Sequence, residues 1–101
     1  LISQNKVITI QKIQEAVAEY FRISIYDIKS QRRIKNLVIP RQIAMYLSRT
    51  LTESSLTSIA EEFGGKDHTT VMHAYKKIKN EIENNENIKA IVDKIINNLK
   101  T

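Results

Sequence analysis

The sequence has 101 residues, no cysteine, two glycines and one proline, with 42% apolar residues and a formal net charge of +5. The missing cysteines exclude disulfides and thiolate-held metals, and no apolar run approaches the ~18 residues of a membrane-spanning helix. What remains is one domain with a modest core, helix-rich because it is poor in turn residues, whose basic balance (pI near 9.6) suits a polyanion such as nucleic acid or anionic lipid.

The opening segment LISQNKV carries no strong pattern. Residues 1–8 read as a linker remnant ahead of a domain over 9–101, and a start at Leu1 rather than Met suggests a piece of something longer. No secretory signal pattern is visible. Thr9 is placed to cap a helix over roughly 10–22, where Ile10, Ile13, Val17, Tyr20 and Phe21 share one face. Ser24, followed three residues later by Asp27, has the spacing of a capping box for a short helix around 25–29. The stretch 29–36 is polar, aperiodic and the most basic of the chain, with Lys29, Arg32, Arg33 and Lys35; it reads as a loop. Charge is lopsided as a whole: residues 1–50 hold nine Lys/Arg against three Asp/Glu, residues 51–101 seven against eight.

Pro40 suits the first turn of the next helix, where its missing N–H costs nothing, and Ile43, Ala44, Leu47 and Leu51 give that helix a buried stripe. Ser55 can cap a helix over 56–63 with Leu56, Ile59, Ala60 and Phe63 inward. A longer helix runs from about Asp67 to Asn84. Asn85 or Asn87 caps a last one, with Ile88, Ile91, Val92, Ile95 and Leu99 on its apolar face. Nothing alternates with the period of two that a strand requires, so the fold class is all-α.

Both glycines stand side by side, at Gly64-Gly65, between two of these helices. Glycine tolerates left-handed backbone without steric cost, so the pair marks a place where one helix stops and another restarts sharply. A helix, tight turn and second helix opened by polar and basic side chains is how a protein presents a helix to the DNA major groove. At 100° per residue, Val71, Ala74, Tyr75, Ile78 and Ile82 fall in one arc, the core side, while Thr69, His73, Lys76 and Asn80 fall opposite. The opposite face suits base edges and phosphates. Asp67 and His68 stand at the N-terminal tip, the part of such a helix that reaches bases. Asp67 can cap the helix or accept from a cytosine amino group, and Thr69 can meet a thymine methyl or simply be solvated. Thr70 and His73 can donate to phosphates, and Lys66 adds charge beside the free N–H groups of the first turn.

The segment GGKDHTTVMHAYKKI at 64–78 closely resembles the signature of the C-terminal DNA-binding domain family of DnaA, the bacterial chromosomal replication initiator. IPRQIAMYL at 39–47 and VAEYF at 17–21 are similar to two further family segments, so the resemblance runs from about Val7 to Leu99. It implies a compact all-α domain with a Trp-repressor-like helix-turn-helix, which binds the DnaA box, a short asymmetric A·T-rich duplex site, at the replication origin in the cytoplasm, on the nucleoid. Carried over by position, Asp67, His68 and Thr69 would contact bases in the major groove and Arg33 would enter the adjacent minor groove. Arg41, Arg49, Thr57, Lys66, Thr70 and His73 would hold phosphates. Gln31, Ile34, Asn36 and Ile39 replace residues that are more often basic or hydroxylic in the family loop, and Thr57 stands where relatives often carry proline. The resemblance also implies an ATP-binding domain upstream in the parent protein and no cofactor in this chain, since GGK at 64–66 lacks the spacing of a phosphate-binding loop. An asymmetric site suits a monomer.

Other classes are weaker. A helix-turn-helix transcriptional regulator is compatible with the same features. A membrane-binding module would use the amphipathic last helix and the basic loop, but that helix is more simply a core helix. For catalysis or metal the residues are wanting: His68 and His73 are five apart and face different ways, and no Ser or Cys nucleophile has a base beside it.

Overall fold

Side-chain oxygens that accept from free first-turn N–H groups open all but one of the helices. The computed structural model describes residues 7–65 and 67–101 as six helices: α1 (Ile10–Phe21), α2 (Ile25–Lys29), α3 (Lys35–Leu51), α4 (Leu56–Glu62), α5 (His68–Asn84) and α6 (Glu86–Lys100), with no strand among the described residues. Thr9 accepts from the Lys12 N–H at 3.1 Å and Ser55 from the Ser58 N–H at 3.1 Å. Asn85 accepts from Asn87 and Ile88 at 3.0 and 3.2 Å while donating its own N–H to the Glu81 carbonyl at 2.7 Å, so it closes α5 and opens α6. Each such cap is worth about 1 kcal/mol.

Two local expectations are corrected. The Ser24–Asp27 capping box is half formed: Ser24 accepts from Tyr26 N at 3.0 Å, but the Asp27 carboxylate turns to Arg32 Nη1 at 3.3 Å. More substantially, α3 starts five residues before Pro40 and carries that proline in its interior, opening on Ile34 without a side-chain cap. An interior proline loses one backbone hydrogen bond and costs roughly 3 kcal/mol. Extending the helix upstream buries Leu37 to 4% exposure together with the Pro40 ring, and burying one leucine contributes about 1.5–3 kcal/mol. The carbonyl that Pro40 cannot serve as an i+4 donor is that of Asn36, an exposed residue.

The α3–α5 pair is the most extensive interface; α1 packs on α3 and α6, α4 and α6 flank α5, and α2 bridges α1 and α3. One continuous core results, built from Ile13 and Val17 of α1, Ile28 of α2, Ile43 and Leu47 of α3, Ile59 of α4, Val71 and Ile78 of α5 and Ile95 of α6. Tyr20, expected inward, lies on the rim at 38% exposure and meets Phe21 edge-on. Gln14 is fully buried and donates to the carbonyl of Glu62 at 2.7 Å, tying α1 to the end of α4. No helix among the described residues is long and apolar enough to cross a membrane.

Candidate nucleic-acid interface

Phe63, fully buried, ends α4, and the chain then turns through Gly64 and Gly65 at φ 86° and 73°. Both lie in the left-handed region, as the paired glycines predict. Gly64 has a second reason to be glycine. A Cβ there would stand 2.8 Å from the Lys29 carbonyl oxygen and 3.1 Å from Gln31 Cγ, because the end of α2 and the start of the basic loop press against this turn. Gln31 Nε2 donates to the Gly64 carbonyl, so loop and turn are bonded as well as packed.

Asp67 caps α5. Its Oδ1 accepts from the Thr69 N–H at 3.3 Å and from the Thr69 hydroxyl at 3.4 Å, and lies 3.1 Å from His68 Nδ1. Asp67, His68 and Thr69 therefore form one exposed cluster at the helix tip, the Asp67 side chain being 66% exposed. Along the helix, Thr69, His73, Lys76 and Asn80 are exposed while Val71, Ala74 and Ile78 are buried, which is the division that the helical periodicity predicts; Thr70 is exposed as well. Lys66, expected at phosphate, lies outside the described residues. Thr70 and His73 share with Val38, Arg41 and Gln42 the lining of a shallow groove of about 220 Å³ between α3 and α5. Arg49, in the last turn of α3, and Thr57, in the first turn of α4, are exposed on either side of the 52–55 connection.

The basic loop, residues 30–34, carries Arg33 exposed and without a hydrogen bond or ion pair among the described residues. Arg41 differs from its expected placement. It is 6% exposed and its guanidinium points into the loop: Nε donates to the Asp27 carbonyl at 2.9 Å, Nη2 to Ser30 Oγ at 2.8 Å and Nη1 to the Arg32 carbonyl. Burial lowers its pKa from the ordinary arginine value, a shift opposed by Asp27 and reinforced by Arg32. Three of its five N–H donors are thus spent internally, which is a poor arrangement for clamping a phosphate. Gln31 and Ser30, which the sequence offers only as loop residues, prove to be anchors. Gln31 bonds across 33 residues to the glycine turn, a contact for which no local pattern gives a signal.

Residues 10–78 match the family described as bacterial dnaA protein helix-turn-helix. Over 92 residues the chain is 54% identical to the chromosomal replication initiator protein DnaA of Lactobacillus helveticus and 55% identical to that of Lactobacillus johnsonii, each alignment covering 91% of this chain and 20% of the relative. The chain thus spans about a fifth of the length of these curated relatives. It also resembles a crystal structure of a DNA replication initiation factor, with a TM-score of 0.77 and 37% identity over 89% of this chain and 27% of that one. A glycine turn that restarts the chain as an exposed polar helix, in a fold shared at this level of identity, leads to one assignment: the chain belongs to the bacterial DnaA helix-turn-helix family.

Proposed function

We propose that this domain binds a specific short duplex DNA site, the DnaA box, in the initiation of chromosome replication. The N-terminal turn of α5 enters the major groove, and the 30–34 loop puts Arg33 into the adjacent minor groove. The observation that carries the proposal is the exposed Asp67–His68–Thr69 cluster, held at the tip of a helix whose opposite face is core. Such tips are where helix-turn-helix proteins read bases. With its hydroxyl turned to Asp67, Thr69 has its methyl left for apolar contact, the group that suits a thymine methyl. Arg33 suits a narrow A·T-rich minor groove with its strong negative potential. Phosphates fall to Arg49, Thr57, Lys66, Thr70 and His73, which position the helix without reading sequence. The domain acts as a monomer on an asymmetric site, and no cofactor enters this reading. Family membership favours replication over a stand-alone transcriptional regulator.

The test is an anisotropy titration against box and scrambled duplexes at two salt concentrations. Discrimination of at least about 4 kcal/mol is expected. With Arg49 and Lys66 on phosphates and Arg33 in the minor groove, log K falls against log salt with a slope of about −2 to −3. Equal affinity for the two duplexes would remove the proposal.

A further inference from the structure

The 30–34 loop should be the least ordered part of the proposed interface. It has no helix or strand, every residue from 31 to 36 is exposed, and Ile34 is not buried in the core. Its order comes from polar bonds, three of which converge on one side chain, that of Arg41. The Arg41 fork reaches residues 27, 30 and 32 at once, so it bridges the end of α2 to the residue immediately before Arg33. Ser30 Oγ uses its full capacity, donating to the Asp27 carbonyl at 3.1 Å while accepting from the Arg32 N–H at 3.3 Å and from Arg41. Arg32 closes the ring with its ion pair to Asp27. Gln31 then fixes the ring to the turn that launches α5.

A loop free to move would have to be ordered on every binding event, and a preformed one has met that cost in folding. From this geometry we infer that Arg41 is a positioning residue: it holds the loop in register with α5 so that Arg33 arrives at a fixed place, and it does not itself neutralise a phosphate. The inference rests on the reading of Arg33 and α5 as DNA-contacting. Lysine keeps the charge of arginine but has no planar fork to span three acceptors, so Arg41→Lys separates the two roles. A phosphate contact survives that substitution; a clamp does not.

The experiment is a double-mutant cycle on this chain, with R41K, R33A and the pair titrated by anisotropy against box and scrambled duplexes, alongside far-UV circular dichroism and thermal melts. R41K is expected to weaken box binding by about 5- to 100-fold, the range for losing one specific arginine contact. Scrambled-duplex affinity should change by less than about 3-fold, since charge is conserved. In the R33A background the further loss should be under about 3-fold, because a positioning residue has nothing left to position. Unchanged box binding by R41K, or losses from R33A and R41K that simply multiply, would overturn the inference. Should R41K fail to fold, exposed Gln31→Ala tests the same link: it should lower box preference by about 3- to 10-fold in the wild-type background and leave R33A unaltered, and equal losses in both backgrounds refute the register argument. Wild-type protein that cannot tell box from scrambled duplex defeats the functional reading instead, so the two failures are distinguishable.

Discussion

The glycine turn with the first turn of α5, and the basic loop against which it packs, are built in opposite ways. The turn is made locally: two left-handed glycines and an aspartate cap, all between residues 63 and 70. The loop has few local bonds, those of Ser30 and Arg32 with Asp27, and is otherwise held by groups up to 33 residues away: the Arg41 side chain on α3 and the backbone carbonyl of Gly64. Local construction makes a region robust and readable; borrowed construction makes it conditional. Damage to the turn should therefore appear first in stability, whereas damage to the loop should appear first in recognition.

The largest effect is expected where the two regions touch. Gly64→Ala meets both left-handed strain, about 1–3 kcal/mol, and a backbone clash with the Lys29 carbonyl at 2.8 Å that side-chain motion cannot relieve. A loss of about 2–5 kcal/mol follows, or roughly 4–8 °C in Tm for each kcal/mol. Gly65→Ala meets only strain, since its nearest neighbour is Gln31 Nε2 at 4.0 Å; about 1–2 kcal/mol is expected. Thermal melts of the two variants sharpen the comparison, and equal losses would mean that the loop does not press on the turn.

Thr69→Ala moves from stability to reading. Its 3.4 Å hydroxyl bond to Asp67 is solvent-exposed, so folding should change by no more than about 0.5 kcal/mol. Box affinity should fall by about 1–3 kcal/mol with preference blurred at one position, measured against single-substituted duplexes. A variant with wild-type preference would show that the exposed face of α5 does not read bases.

The same contrast explains what the sequence could and could not disclose. Helical periodicity placed α1, α4, α5 and α6, and it separated Val71, Ala74 and Ile78 from Thr69, His73 and Lys76, because burial repeats every 3.6 residues on a single element. Thr9, Ser55 and Asp67 were legible as caps for the same reason of locality. The start of α3 was not, because the preference of proline for a first turn is a local rule, and here the tertiary gain from burying Leu37 and the Pro40 ring offsets it. Arg41 illustrates the limit most sharply. A basic residue in a family segment suggests phosphate, and only the approach of α2 and the loop to α3 reveals three acceptors waiting for its fork.

The smallest predicted effects concern Asp67, where the local and the recognising roles coincide in one carboxylate. Asp67→Ala removes the cap and should cost about 0.5–2 kcal/mol of stability, while Asp67→Asn, an equally good cap, should leave stability within a few tenths of a kcal/mol. The two variants thus divide the roles. If Asp67 only caps, D67N should bind the box as well as wild type or better, since it takes a negative charge away from the phosphates. If the exposed carboxylate also accepts from a cytosine amino group, D67N should lose about 1 kcal/mol of preference at one base pair while its melting curve stays in place. The second outcome is the one expected, because Oδ1 alone accounts for the cap and the side chain remains 66% exposed. A D67N protein with full box preference in competition against single-substituted duplexes would return Asp67 to a purely structural role and leave base reading to His68, Thr69 and the arginine of the loop.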